Sequence, residues 1–305
     1  MNPTSPNLHR VRVRVLARQA RHLPWLGLVA ALLSACGGGG GDAGDPNFGT
    51  PTVTAVTADR VSYGQVSTFT VTGTHLTTST DFSVTGCDNL AVLRDSTTQH
   101  RVTCTPDEAM SVRFTAKTGG STLFDQAYTV PKPRVTMTTS MGTLVVELEP
   151  ATVPITVANF LGYVQSGFYN GTIFHRVITV PLTGIAVDQG GGFTGASGTT
   201  LVAKTGVGEP ITLETNKGLS NLRGSIAMAR QTAANTATSQ FFFNVVDNTA
   251  LDYSSAASPG YAVFGNVVSG LTVLDAMNAV STHTVGAYTN VPVTDIVLTT
   301  AVQTQ

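Results

Sequence analysis

Four short segments concentrate the residue types able to act on a bound molecule: Phe174-His175-Arg176, Gln189-Gly190-Gly191-Gly192-Phe193, Met228-Ala229-Arg230 and Ser239-Gln240-Phe241-Phe242-Phe243-Asn244. Arginine stays charged and presents a planar fork of donors, so Arg176 beside apolar residues would supply a fixed cation. Phe241 to Phe243 read as a strand, whose alternation sends neighbours to opposite faces. Phe241 and Phe243 then belong in a core and Phe242 on the other surface. By the same alternation His175 points away from Arg176 and reads as structural. Gly190 to Gly192 lack the strand-to-helix setting and following lysine of a phosphate loop, and suit a bulge or tight bend instead. A strand arginine also commonly serves in a surface ion pair, here with a carboxylate such as Glu147. No His, Cys or carboxylate cluster has ligand spacing, so neither a metal nor an organic cofactor is implied.

The elements that must hold these segments fall between residues 132 and 305, a length sufficient for one globular core. Arg134 to Thr138 and Thr143 to Glu147, joined by a turn at Met141-Gly142, read as a hairpin. Val157, Phe160, Leu161 and Val164 recur at helical spacing, with Pro154 near the start and Gly167 just past the end. A second helix is expected near Leu271 to Val280, where Val273, Met277 and Val280 share a face. Periodicity alone predicts two helices among many short strands, as a barrel or a sandwich.

Residues 51–131 differ in character. They are rich in Thr, Val and Ser with period-2 alternation, as in Thr68-Phe69-Thr70-Val71-Thr72. Breaks are expected at Tyr63-Gly64, Gly73, Gly86 and Gly119-Gly120, which fits an immunoglobulin-like β-sandwich acting as a spacer or interaction module. Pro131-Lys132-Pro133 marks the boundary with the following domain, because the flanking prolines resist both helix and central strand.

The first 35 residues carry five arginines and no acid, then a mostly apolar run from Leu23 to Ala35. That run is too short for a membrane span, which needs about 20 apolar residues, and reads as a secretion signal. Leu33-Ser34-Ala35-Cys36 looks like a bacterial lipobox, with cleavage before Cys36 and lipid attached to it. Residues 36–50, Gly-rich, would form a flexible tether spanning roughly 20 Å. The location expected is the bacterial cell envelope, facing the periplasm; Gly37, where aspartate would favour inner-membrane retention, points to the outer membrane. Without the signal, 17 basic residues become 12 against 18 acidic ones, a formal charge of −6. Nucleic-acid binding, which shows as a basic patch, is not expected. Cys87 and Cys104 remain as a disulfide pair in an oxidising compartment, since nearby His75 and His100 lack paired zinc-ligand spacing. Such a bridge is worth about 3 kcal/mol. Val102 and Cys104 share a strand face, which would set it against the core.

Gly167-Phe168-Tyr169-Asn170-Gly171-Thr172-Ile173-Phe174-His175-Arg176-Val177-Ile178 and Gly224-Ser225-Ile226-Ala227-Met228-Ala229-Arg230, with the glycine and glutamine segments between and after them, resemble the cyclophilin-type peptidyl-prolyl cis-trans isomerases. The resemblance runs from the first hairpin to Asn290-Val291-Pro292. It is nearest the exported bacterial branch, where Tyr261 replaces a histidine of eukaryotic members. It implies a mainly β chain, with an eight-stranded closed barrel capped by two helices after the sandwich, and a proline-binding groove on the barrel's outer face.

The reaction implied needs no cofactor. The barrier to rotation about Xaa-Pro, about 18 to 20 kcal/mol, is amide resonance, and a cation that favours the twisted amide lowers it. The resemblance assigns Arg176 that role, with Gln189 and Gln240 holding the peptide backbone and orienting the guanidinium. Phe242 and Leu251 would form the proline pocket, Ala229 and Arg230 its rim, and Tyr261 one side. Ala186 and Val187 stand where family members carry an aromatic and a methionine that grip the ring. Ala250 precedes Leu251 where many carry tryptophan, and Thr179 to Thr183 add length. Asp188 should point away from Arg176 by alternation from Gln189. The expected function is therefore a slow prolyl isomerase assisting the folding of exported, proline-containing polypeptides. The alternative is a non-catalytic module binding peptides or proteins through the same groove.

Overall fold

A computed structural model of the protein describes residues 49–180 and 184–305. The expected signal, the expected lipid site at Cys36 and most of the expected tether therefore lie outside the described residues, as do Pro181 to Thr183 of the loop after Ile178. The described residues belong to one compact unit containing two β systems.

In the first system, β1 (Thr52–Ala58), β2 (Ser67–Thr74), β5 (Gln99–Pro106) and β4 (Cys87–Leu93) pair in that order. β3 (Thr80–Thr85), β6 (Met110–Thr118) and β7 (Ser121–Val130) form a second sheet. Alternation decides the packing, because each sheet buries one face: Phe69, Val71, Val102, Phe114 and Ala116 are fully buried while their neighbours are exposed or half-buried. Cys87 and Cys104 are bridged, and Cys104 lies in this core beside Val102, as the shared strand face predicts. Gly73 is a correction to the sequence reading, because it lies inside β2 and breaks nothing. A Cβ there would stand 1.9 Å from the Thr52 carbonyl oxygen, so the glycine serves close approach to β1 at a bulge.

The second system is a nine-stranded sheet in the order β10-β18-β8-β9-β15-β13-β14-β11-β12. A further pairing of β10 (Thr172–Ile178) with β11 (Val187–Ser197) closes eight strands into a barrel and leaves β12 (Thr200–Ala203) outside the ring. The hairpin read from sequence is β8 (Arg134–Thr139) and β9 (Gly142–Leu148); β13 (Ser225–Met228), β14 (Phe241–Asn244), β15 (Val263–Ser269) and β18 (Ile296–Gln303) complete the ring. A smaller two-stranded sheet, β16 (Thr282–Val285) with β17 (Tyr288–Pro292), pairs with no strand of the ring but packs against β10.

Helix α1 (Pro154–Gln165) buries Val157, Phe160, Leu161 and Val164, the face its spacing predicts. The Phe160 ring sits 5.7 Å from that of Phe241 and 5.0 Å from that of Phe264. With no side-chain cap of its own, its amino end is served by Glu214, which accepts bonds from the Thr156 amide and hydroxyl, both at 2.7 Å. A carboxylate there also meets the positive end of the helix dipole. Helix α2 (Leu271–Asn278) buries Leu274 and Met277 and stops two residues short of the expected Val280. No helix among the described residues is long and apolar enough to cross a membrane.

One hydrophobic cluster runs through both β systems. Polar contacts join them too: Gln303 Nε2 donates to the Tyr63 carbonyl at 2.9 Å, Gln165 Nε2 to that of Gly64 at 3.1 Å, and Arg60 to that of Thr304.

Candidate active site

Arg176 owes its position to an irregularity in the barrel. β10 and β11 pair Phe174 with Gly190 and Arg176 with Gln189, and the register shifts on both sides of Phe174. The bulge lets Phe174 and Val177 enter the core while Arg176 between them stays exposed. The glycine run makes this possible, as its position suggested: Gly191 has φ +80°, and a Cβ there would lie 2.9 Å from the Phe241 ring. His175 is buried, its ring 4.6 Å from that of Phe193. Burial first, then the charge of Arg176, push its pKa down to about 4, so it stays neutral at ordinary pH and reads as structural.

A polar chain leads from the cation. Arg176 Nη1 donates to Gln189 Oε1 at 3.4 Å, and Gln189 Nε2 donates to Gln240 Oε1 at 2.9 Å. Arg176 makes no salt bridge among the described residues, and the rival partner Glu147 is held by Arg134 at 2.7 Å. The three polar residues border a cavity of about 370 Å³ whose far wall is Ala287, Tyr288 and Thr289.

Beside them lies an apolar patch separate from the main core. Phe242, Ile178, Val187, Ala227 and Val263 form it, and Ile185, Leu219, Ala229, Leu251 and Tyr261 pack around it with part of their surface open. Phe241 and Phe243 belong to the main core and Phe242 to this patch, so the alternation read from three consecutive rings holds. The Tyr261 ring meets the Phe242 ring edge-on at 5.5 Å, and its amide donates to the Leu251 carbonyl at 3.0 Å. The Ala229 amide donates to the Gln240 carbonyl at 2.9 Å, which brings the Met228-Ala229-Arg230 segment against the glutamine segment.

Ala186 is a correction. Its side chain lies in the main core rather than along the patch, because Val187, one residue on, opposes Ile178 and faces the patch, and alternation then turns Ala186 inward. Ile185 takes the wall that Ala186 was expected to form. Removing its apolar surface should weaken a bound ring: Ile185 is half-buried, so about half of the three carbons lost in Ile185→Ala, at about 0.8 kcal/mol per buried CH₂, should lower kcat/KM by roughly tenfold, read in a peptide isomerisation assay. Asp188 points away from Arg176, as expected, and is fully buried.

Sequence reasoning missed a buried amide network that shapes the patch. Asn248 Nδ2 donates to the Ala186 carbonyl and to Asn244 Oδ1, both at 2.8 Å, while Asn248 Oδ1 accepts from the Ala186 amide at 3.1 Å. Asn244 Nδ2 donates to Asn221 Oδ1 at 3.1 Å, and the Asn221 amide donates to Asp252 Oδ1 at 2.7 Å. Burial acts to raise the Asp252 pKa, but hydrogen bonds from Ser220 and Asn221 outweigh it and hold the carboxyl below its ordinary value. Asn244 and Asn248 are four residues apart but Asn221 lies 23 residues before Asn244, and the three give no periodic signal. Only their burial marks them.

Comparison with known proteins agrees with this geometry. Residues 134–303 match the family model described as cyclophilin type peptidyl-prolyl cis-trans isomerase/CLD. The chain is 47% identical over 167 residues to peptidyl-prolyl cis-trans isomerase A of Dickeya dadantii, covering 55% of this chain and 82% of that one. It is 43% identical over 166 residues to peptidyl-prolyl cis-trans isomerase B of Escherichia coli, covering 54% and 95% respectively. A similar protein of Acinetobacter baylyi, a peptidyl-prolyl cis-trans isomerase, is 42% identical over 170 residues, covering 56% of this chain and 85% of that one. With its eight-stranded barrel and a family match over more than half of its length, the chain belongs to the cyclophilin-type peptidyl-prolyl cis-trans isomerase family.

Proposed function

We propose that the protein isomerises Xaa-Pro bonds in exported polypeptides, with the proline ring on the Phe242 patch and Arg176 addressing the amide. The observation that carries this reading is the Arg176–Gln189–Gln240 hydrogen-bonded chain lying directly beside a second apolar cluster on the barrel. Rotation about the amide moves the nitrogen lone pair out of resonance, and a preoriented guanidinium stabilises the twisted form more than either planar one. Gln189 steadies the guanidinium, Gln240 steadies Gln189, and the Ala229 segment forms the rim that receives the peptide backbone. Leu251 and Tyr261 wall the ring, and Val187 and Ile185 stand in for the aromatic and methionine of other members.

The cellular setting is part of the proposal. Residues 1–35 would be a lipoprotein signal, Cys36 the lipid site, and residues 36–50 a tether to the membrane, with the protein facing the periplasm and the outer membrane its place. The Cys87–Cys104 bridge supports an oxidising compartment. Residues 51–131 are read as an immunoglobulin-like module, supported by the strand order β1-β2-β5-β4 opposite β3-β6-β7. It would hold the isomerase domain, residues 132–305, away from the lipid.

A second reading, a groove that binds peptides without catalysis, draws on the inward turn of Ala186. Cis-to-trans relaxation of a short Ala-Pro peptide, followed with and without the protein, decides between them. A rate above background is expected. No acceleration by folded protein, with the peptide still bound, would replace the isomerase with the binding module.

A further inference from the structure

Past Tyr261 the apolar patch opens into a second cavity of about 510 Å³. Leu251 and Tyr261 line both, so a peptide whose proline occupies the patch runs directly into it. Arg230 is the one charged side chain among the described residues on its wall. Its position is built rather than incidental. Nε donates to the Gly260 carbonyl at 2.8 Å, and Nη1 to the carbonyls of Gln231 at 2.9 Å and Thr232 at 3.1 Å. The guanidinium carbon lies 4.8 Å from the centre of the Tyr261 ring.

Every acceptor holding this cation is neutral. No salt bridge among the described residues includes Arg230, and Nη2, with two donors, has no partner among them. The neighbouring carboxylate, Asp252, is turned to Ser220 and Asn221 instead. A half-buried guanidinium fixed by carbonyls and a ring keeps its charge unneutralised and directed at the cavity, the arrangement in which an incoming carboxylate gains a charge-assisted bond without disturbing an existing pair.

We propose that this cavity selects substrates bearing an acidic side chain within two residues of the proline, with Arg230 as the specificity-determining group. The inference rests on the isomerase reading and adds the chemical class of substrate to it.

The test uses the whole protein and short Xaa-Pro peptides differing at one position, with Glu, Gln or Lys placed in turn at each of the two residues on either side of the proline. At one of these positions kcat/KM should rank Glu above Gln above Lys, with Glu ahead of Gln by about three- to tenfold. The ratio should shrink as salt is raised, fall to about one in Arg230→Gln, and survive in part in Arg230→Lys. A purely structural staple would instead lower all peptides alike and leave the ratio intact, which would overturn the proposal. So would the absence of any preference in the unmodified protein. If no peptide, neutral ones included, is turned over, the isomerase reading falls; Kd values for the same peptides then decide this inference, by the same ranking. Should Arg230→Gln fail to fold, the salt dependence of the unmodified protein and the Arg230→Lys variant carry the decision.

Discussion

Arg176→Ala should remove nearly all isomerisation while leaving the protein as stable as before. The side chain is exposed and forms no salt bridge among the described residues, so its loss should shift stability by no more than about 0.5 kcal/mol. Its expected work lies in the transition state. Removing one preorganised donor from such a site typically costs about 10²- to 10³-fold in kcat. Arg176→Lys sharpens the point, because lysine keeps the charge but loses the planar fork. If the guanidinium must address nitrogen and carbonyl together, the lysine variant should recover only a small part of the rate. Peptide kinetics and a thermal melt on the same preparations provide the check. A large fall in Tm with the rate preserved would mean that Arg176 holds the barrel together and catalyses nothing.

The second large effect concerns stability and pH. Asp188 sits between Val177 and Phe243 in the barrel register and is 0% exposed. Its Oδ1 accepts from Asn278 Nδ2 at 2.7 Å, and its Oδ2 has no partner among the described residues. Burial is the main cause of a pKa raised from 3.8 to about 7; the negative charge of Asp275 adds to it and the bond from Asn278 opposes it. The folded protein therefore keeps a proton that the unfolded chain releases. Stability from this group is complete below pH 3.8 and is lost as pH rises to and past about 7. The loss should be on the order of a few kcal/mol.

Asp188→Asn keeps the shape and removes the titration, so the difference in unfolding free energy between variant and parent should grow in the variant's favour from pH 5 to pH 8. Urea melts at the two pH values measure it. His175 titrates in the opposite sense: its pKa is lowered to about 4, so its contribution is lost as pH falls from 6.5 towards 4. Both proteins share His175, and the difference between them isolates Asp188. Equal differences at pH 5 and pH 8 would mean that the Asp188 carboxyl is hydrated and titrates normally.

Much of the barrel was legible because its signals are local. Pro154 with the Val157, Phe160, Leu161 and Val164 spacing defines α1. Met141-Gly142 defines the turn of the β8–β9 hairpin, where Thr139 pairs with Gly142. The three phenylalanines of β14 divide between core and patch because a strand has no other choice. The pairing of Cys87 with Cys104 also followed from counting. The closed ring did not: periodicity allowed a barrel or a sandwich, and only the resemblance to a family pointed to the barrel.

Sequence by itself thus nominated the candidate residues, since the motifs that resemble the cyclophilins single out Arg176, Gln189, Gln240, Phe242, Leu251 and Tyr261. Tertiary structure decided how they meet. Ala186 turned inward and Ile185 outward because pairing of β11 with β10 and β14 sets the phase of alternation, which motif spacing leaves open. Arg176 is exposed through a register shift in β10, Glu147 goes to Arg134 across a hairpin, and Asn221, Asn244 and Asn248 meet at Asp252 and Ala186 through contacts among separate loops and strands. The cavity around Arg230 exists only where the segment after β13 meets the loop before β15. Such contacts depend on which distant strands pair and in what register, a global outcome of burial and hydrogen bonding that no window of sequence contains.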